Sequence, residues 1–271
     1  MASQAEIRRA DILDTVRNSG HARVDELAER FEVSVMTIHR DLDFLAEEGQ
    51  IERVRGGAKF VEPEFSETNV ETRRETNVDV KKALASYVAT LVSTGDIVAL
   101  DDSTTVEYCV PDVLSAGPVG IITHSLKVLN VVSAHAPEVA LTGAGGRYCV
   151  ETDSFLGQAT CNAVERLNAT VSIVSTTCIN AAGIYHPDED AAITKSAFVR
   201  LGTRKILVSD SSKFDNVGMH FVARLSEFDD IVMDNNLDGD ERELLEKTGA
   251  RLHLVDTAQP TPTLQPPAVL K

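Results

Sequence analysis

A chain of 271 residues, with 43% apolar and 25% charged residues, has enough length and apolar content for a small domain plus a larger one with its own core. A formal charge of −16 argues against a small basic architectural DNA binder, and no apolar run approaches the ~20 residues of a membrane span or the pattern of an export leader. Cys109, Cys149, Cys161 and Cys178 form no CxxC pair and read as reduced, mostly buried small hydrophobes of a cytoplasmic protein, a metal site being the weaker alternative.

Residues 5–18 carry Ile7, Ile12, Leu13 and Val16 as the apolar stripe of a first helix, stopped at Gly20. Residues 24–31 (VDELAERF) predict a second, short helix, followed by a tight turn at Glu32, Val33 and Ser34. The Ser34 hydroxyl stands where it caps the next helix. There Val35, Ile38, Leu42 and Leu45 recur at core-facing spacing and leave Met36, Thr37, His39 and Arg40 on the first turns. Two strand-like runs then flank Gly56 and Gly57, the punctuation of a hairpin.

Helix, turn, helix and β-wing in this order lay one helix in the major groove of duplex DNA, its N-terminal residues against base edges. The expected contacts to a double-stranded operator are Ser34, Met36, Thr37, His39 and Arg40 on the helix, with Arg53, Arg55 and Lys59 on the wing. Charge opposes this at first sight, because residues 1–60 hold nine basic and twelve acidic residues. Placement answers it: Glu26, Glu29, Glu47 and Glu48 belong to faces or helix ends that need not meet DNA. Repulsion from the distant acidic bulk is screened over about 8 Å at physiological salt.

Residues 61–69 are polar and read as a linker. A helix is expected over 70–93, with Val80, Leu84, Tyr87, Val88, Leu91 and Val92 inward, as a connection and a candidate dimer contact. Beyond Gly95, strand patterns at 97–100, 120–123, 139–142, 171–175, 205–209, 230–233 and 252–255 alternate with helix patterns at 104–114, 126–134, 154–167, 190–201 and 240–248. Such alternation means an α/β domain with a largely parallel sheet. The proline-rich tail after Asp256 is expected to be disordered. The organisation is therefore a winged helix-turn-helix head of α+β class (1–61), a linker and connecting helix (62–94), an α/β effector-binding sensor domain (95–256) and a tail (257–271).

Ligands of parallel sheets bind beyond the carboxyl ends of the strands. The candidate effector contacts there are Asp101, Asp102, Ser103, Thr104 and Thr105; Thr123, His124 and Ser125; Gly145 and Gly146; and Lys213. Hydroxyls and free N–H groups at helix starts cradle anions, although each signal alone is more often a helix cap, a turn or a solvated lysine. His186, near Asp188 and Glu189, lacks a second spaced histidine and reads as part of a solvated loop rather than a metal site. No carboxylate–lysine pair is evidently spaced for proton transfer.

VSVMTIHRDLDFLAEEGQIERVRGGA, residues 33–58, resembles the N-terminal signature of the DeoR family of bacterial transcriptional regulators, a VS-x-x-TIRRDL core followed by a GGA-ending wing. The later patterns are similar in order to that family's D-x-GSTT, TN[SG], diglycine and DSSKF, the last identical at residues 210–214. This resemblance, running from about residue 7 to 255, implies a ribose-5-phosphate-isomerase-like sensor fold. It also implies a homodimeric or higher regulator, a repressor rather than an activator, of a carbohydrate catabolic operon under a sugar-phosphate effector. Neither a cofactor nor a membrane is implied, and the protein is expected not to be an enzyme; a sugar-phosphate isomerase-like enzyme with a DNA-binding head is the alternative. Three residues depart from the pattern. His39 replaces an arginine and lacks its charge and bidentate fork. Asp102 replaces a glycine and repels phosphate unless it points away or is neutralised, which leaves a non-phosphorylated sugar or polyol open. His124 replaces an asparagine, either bonding the ligand or packing in the core.

Overall fold

The structure, a computed structural model, describes residues 4–19, 21–47, 50–54, 56–60 and 70–257. The chain separates into two compact units, Met1–Glu64 and Phe65–Lys271.

In the first unit α1 (Gln4–Ser19) leads into β1 (His21–Arg23), α2 (Val24–Arg30), α3 (Val35–Glu47), β2 (Ile51–Val54) and β3 (Gly57–Phe60). Its core is Ile12, Val16, Val24, Leu27, Ile38, Leu42, Leu45 and Ile51. Two expected core residues are not in it: Ile7 is 54% and Val35 46% exposed. Ile7 precedes Ile12 by five residues, which at about 100° each turns it well off the buried stripe. Val35 is the first residue of α3, ahead of the turn that reaches the core. Ser34 does cap α3, since the Thr37 N–H donates to its Oγ at 3.2 Å. Glu32, at φ 52°, makes the left-handed break between α2 and α3. The sheet order is β1-β3-β2, all antiparallel. Strand β1 was not anticipated, because three residues give no readable alternation. Its partner explains Gly57, where a Cβ would stand 2.1 Å from the Ala22 carbonyl oxygen. Gly56 has φ 82° and turns the hairpin, so Gly57 is the first residue of a strand rather than part of the turn. The helix stop at Gly20, the linker 61–69 and the tail from 258 onward lie outside the described residues.

In the second unit the helix expected over 70–93 is two, α4 (Val70–Glu75) and α5 (Val78–Ala89). They are broken at Asn77, whose φ of 54° suits asparagine's tolerance of the left-handed region. There follow β4 (Ile97–Leu100), α6 (Thr104–Ser115), β5 (Gly120–Thr123), α7 (Leu126–His135), β6 (Ala140–Gly143), β7 (Arg147–Cys149) and β8 (Ser154–Leu156). Next come α8 (Gln158–Val164), β9 (Ala169–Val174), β10 (Cys178–Asn180), β11 (Gly183–His186), α9 (Glu189–Leu201) and β12 (Gly202–Ser209). The unit closes with β13 (His220–Ala223), β14 (Asp230–Asp234), α10 (Gly239–Glu246) and β15 (Arg251–Val255).

Seven strands form one parallel sheet in the order β15-β14-β12-β9-β4-β5-β6. Alternate residues face opposite layers: Val98, Leu100, Ile206 and Val208 pack in the core with α5, α6 and α7. Ala99, Leu207, Ile231 and Met233 pack in the other, with α9. Both faces are covered, which is why these strands read as continuous apolar runs. The expected helix over 154–167 begins only at Gln158, because its first three residues pair with β7 and Gly157 turns at φ 92°. A small antiparallel sheet, β10-β11-β13, was also not anticipated. It carries His186 at 1% exposure, so that residue is no solvated loop. Among the described residues no helix is long and apolar enough to cross a membrane, and no cluster of His, Cys, Asp and Glu could hold a metal ion.

Candidate nucleic-acid interface and ligand site

On the first unit, Ser34, Met36 and Arg40 are exposed along the start of α3, Met36 at 63%, while Thr37 and His39 are half-buried. The half-buried Arg53 of β2 donates to His39 Nδ1 at 2.7 Å and pairs with Asp43 at 3.0 Å. A guanidinium only donates, so His39 Nδ1 accepts and the ring's N–H is Nε2. The histidine that departs from the family pattern thus ties the wing to α3. Lys59 pairs with Glu52 across the hairpin at 2.7 Å. Arg55 lies outside the described residues. One anchor was missed in the sequence: Asp41, 2% exposed, accepts from Arg8 Nε at 2.6 Å and Arg9 Nε at 3.0 Å and locks α3 to α1. A cavity of about 510 Å³ lined by Asp11, Asp14, Thr15, Ser19, Arg30 and Phe31 belongs to this unit. Its carboxylates suit neither DNA nor an anionic ligand.

On the second unit, the chain steps from β4 to β5 and β6 on one side, then crosses back to β9, β12, β14 and β15 on the other. The reversal opens a crevice at the carboxyl ends of β4 and β9, where such sheets bind ligands. Asp101, 0% exposed, is held there by the Ser103 and Ser175 N–H groups at 2.9 and 3.0 Å and by the Ser103 hydroxyl at 3.0 Å. Lys195 of α9 completes the cluster and was not flagged in the sequence. Its ammonium donates to Asp101 Oδ2 at 2.7 Å, Asp102 Oδ1 at 2.9 Å and Ser103 Oγ at 2.7 Å. A carboxylate–lysine arrangement therefore does exist, from residues 93 positions apart that only folding brings together.

The charges of this cluster settle one another. Burial disfavours the Lys195 ammonium, but Asp101 and Asp102 outweigh it and raise its pKa above lysine's ordinary value. Burial also opposes the charge of Asp102, yet Lys195 foremost, with the Ser154 hydroxyl at 2.7 Å, holds its carboxyl well below the usual carboxylate range. Asp102 is thus neutralised by an internal partner. His124 is fully buried, and that burial lowers its pKa. The neutral ring donates from Nδ1 to the Phe155 carbonyl at 3.0 Å and packs on Phe198 with centroids 4.5 Å apart. Among the described residues its Nε2 has no hydrogen-bond partner, and it faces Asp102 Oδ1 at 3.8 Å. Only the imidazole nitrogen is unmet, because Asp102 Oδ1 already accepts from Lys195, and an O–H or N–H donor would satisfy it.

Thr104 and Thr105 begin α6, and Ser125 caps α7 by accepting from the Val128 N–H at 3.3 Å. The Thr123 hydroxyl accepts from the Ser125 N–H at 3.1 Å. All these hydroxyls are less than 9% exposed. Gly145 has open space around it, whereas a Cβ on Gly146 would stand 2.0 Å from Thr160 Oγ1. Lys213 lies on the one-turn helix Ser211–Phe214 after β12, a quarter exposed, 3.7 Å from Asp210. Asp210 caps that turn through the Ser212 N–H at 3.2 Å, and Asp234 of β14 accepts the Ser211 N–H at 2.6 Å.

A winged helix-turn-helix followed by a parallel α/β unit with polar strand ends defines a ligand-sensing transcriptional regulator. Residues 8–64 match the model of the DeoR-like helix-turn-helix domain, and residues 76–235 match that of the DeoR C terminal sensor domain. The chain belongs to the DeoR family of transcriptional regulators. It is 30% identical to the L-fucose operon activator of Haemophilus influenzae, over 83% of this chain and 90% of that protein. It is 29% identical to the HTH-type transcriptional regulator GlpR of Haloferax volcanii, over 89% and 94%. To the glycerol-3-phosphate regulon repressor of Escherichia coli (strain K12) it is 28% identical, over 84% and 90%. Similar solved structures include ribose 5 phosphate isomerase A from Neisseria gonorrhoeae, at 13% identity, 54% of this chain, 55% of that one and a TM-score of 0.38.

Proposed function

We propose that this regulator represses a carbohydrate catabolic operon from the cytoplasm as a homodimer and releases its operator when a phosphorylated sugar or polyol binds the strand ends of the second unit. In this reading residues 1–61 form the DNA-binding head, 62–94 the connection and 95–256 the effector-binding domain. The carrying observation is the buried, donor-seeking His124 Nε2, 3.8 Å from Asp102 at the sheet's reversal point, which suits a hydroxyl-bearing ligand. The names of three relatives, which cite an L-fucose operon, GlpR and a glycerol-3-phosphate regulon, support the carbohydrate reading. Their regulatory signs differ, one activator and one repressor, so repression rests on the steric logic of an operator-bound head.

Enzymatic turnover is disfavoured by the same cluster. Proton transfer beside a carbonyl needs a base that titrates near the working pH. Lys195 is held protonated, and Asp102 is held a weak proton acceptor. Purified full-length protein should retard one promoter fragment over random duplex in gel-shift titration, and one sugar phosphate or polyol should release it. Arg40→Ala should weaken that binding roughly five- to 150-fold, the equivalent of about 1–3 kcal/mol for one base or phosphate contact. Equal affinity for all fragments, or wild-type affinity in Arg40→Ala, overturns the assignment. Conversion of pentose or hexose phosphates by the protein would instead favour the isomerase reading.

A further inference from the structure

Arg53 of β2 directs every arm of its guanidinium into the head itself. Its Nε lies 3.0 Å from Asp43 Oδ1, one terminal nitrogen donates to His39 Nδ1 at 2.7 Å, and the other reaches the Gly57 carbonyl at 3.5 Å. His39 and Asp43 stand four residues apart on α3 and so share one of its faces. A single side chain therefore joins α3, β2 and the first residue of β3.

Two consequences follow for DNA, one of charge and one of geometry. The Asp43 side chain is 58% exposed, and an unbalanced carboxylate there would repel phosphate. Arg53 balances it, so the pair is neutral as a unit and brings no counter-ion release of its own. The geometric consequence falls on His39. An imidazole whose Nδ1 accepts carries its proton on Nε2, and that N–H leaves the ring away from Arg53. Among the described residues nothing accepts it. The ring is half-buried on the early turns of α3, with Met36, three residues before it, exposed at 63%.

We propose that His39 reads a guanine through its Nε2–H, and that Arg53 is a positioning residue which fixes the imidazole as a donor rather than a contact to DNA. This rests on the reading of α3 as the helix that meets base edges, and adds to it which base is sought and what enforces the choice. In the major groove guanine offers two acceptors, N7 and O6, and no donor. Adenine sets an amino donor beside its N7, and cytosine offers only a donor. An untethered imidazole can turn a bare nitrogen toward those amino groups as readily as an N–H toward guanine. The bond from Arg53 removes that choice.

The test selects binding sites for the full chain from a randomised duplex library at about pH 8, where a free imidazole is neutral. The wild type should yield a site with a guanine at which 7-deazaguanine, lacking the N7 acceptor, weakens binding about fivefold. His39→Ala should bind the site and its 7-deaza version equally. Arg53→Met should lose the same preference and accept adenine or cytosine at that position, with every other position and the salt dependence unchanged. Arg53→Lys, which still offers Nδ1 a donor, should restore part of the preference. Circular dichroism checks the fold of each variant. Weakening that is uniform over all positions in Arg53→Met, with a salt slope smaller by about one, marks a phosphate contact and overturns the positioning role. A 7-deaza effect that persists in His39→Ala, or is absent from the wild type, overturns the role of the imidazole while leaving α3 as the reading helix. A library that returns no common site overturns that reading of α3 and this inference with it.

Discussion

Asp41 and Lys195 carry opposite charges and the same lesson. Each is nearly absent from solvent, and each is tolerable only because folding delivers partners from elsewhere in the chain. Asp41 holds two arginines that retain 19% and 27% of their side-chain exposure. Removing the carboxylate therefore strands no fully buried cation, and the cost falls below the 3–5 kcal/mol of a fully buried pair. Asp41→Ala should destabilise the head by about 2 kcal/mol, seen as an earlier first transition in urea unfolding followed by circular dichroism. An unshifted transition would mean that Arg8 and Arg9 do not anchor α3. The spacing of apolar residues made Ile38, Leu42 and Leu45 legible as core, but periodicity says nothing about which acidic residue turns inward. Asp41 sits in the same RDL run as solvent-facing Arg40 and looks no different from Asp43 in sequence.

At the scale of elements, strength of signal followed length and burial. The helix α9 and the buried parallel strands other than β12, which starts three residues earlier than expected, emerged within a residue or two of their bounds, because their apolar runs are long or doubly covered. Strands of three and four residues, β1, β7, β8, β10, β11 and β13, escaped notice because so few positions show no period. The break between α4 and α5 hung on the single left-handed residue Asn77. The diglycine of the wing was seen, but its division of labour was not. Gly57→Val should push β1 off β3, since the new Cβ meets the Ala22 carbonyl, lowering the head's melting temperature and weakening operator binding at least tenfold. Gly56→Asn should be tolerated within about 0.5 kcal/mol, as nothing lies within 4 Å and asparagine accepts positive φ. If the two variants behave alike in thermal melts, packing against β1 is not what selects glycine at position 57.

Over the whole molecule, buried ionisable groups set how stability follows pH. Burial opposes the charges of Asp102, Asp210 and Asp230, but their cationic and hydrogen-bonding partners outweigh it and depress all three pKa values. Groups depressed in the folded state contribute stability above their unfolded pKa, about 3.9 for aspartate, and lose it as pH falls through the folded value. His124, lowered by burial, stabilises the fold only while neutral, so its contribution erodes as pH falls below about 6.5. Glu107, raised by burial, works the other way and regains stability on acidification. The expected profile is flat near pH 7, declines gently from about 6.5, and falls steeply below about 4. His124→Asn should remove the gentle limb between pH 7 and 5 in urea titrations. A slope there unchanged by the substitution would show that the imidazole is not the titrating group.

The amino-acid order alone determined the winged head, the parallel α/β unit and the family, because apolar period, cap residues and turn glycines are local and survive in one dimension. It also put Asp101, Asp102, His124 and Lys213 near strand ends, since loop position follows from strand assignment. Only tertiary structure decided which of these groups meet. Lys195 reaches Asp102 across 93 residues, Lys81 reaches Arg73 and Thr104 from a separate helix, and Arg53 finds His39 from the wing. Charges choose partners through space, at distances of about 3 Å that chain spacing does not encode.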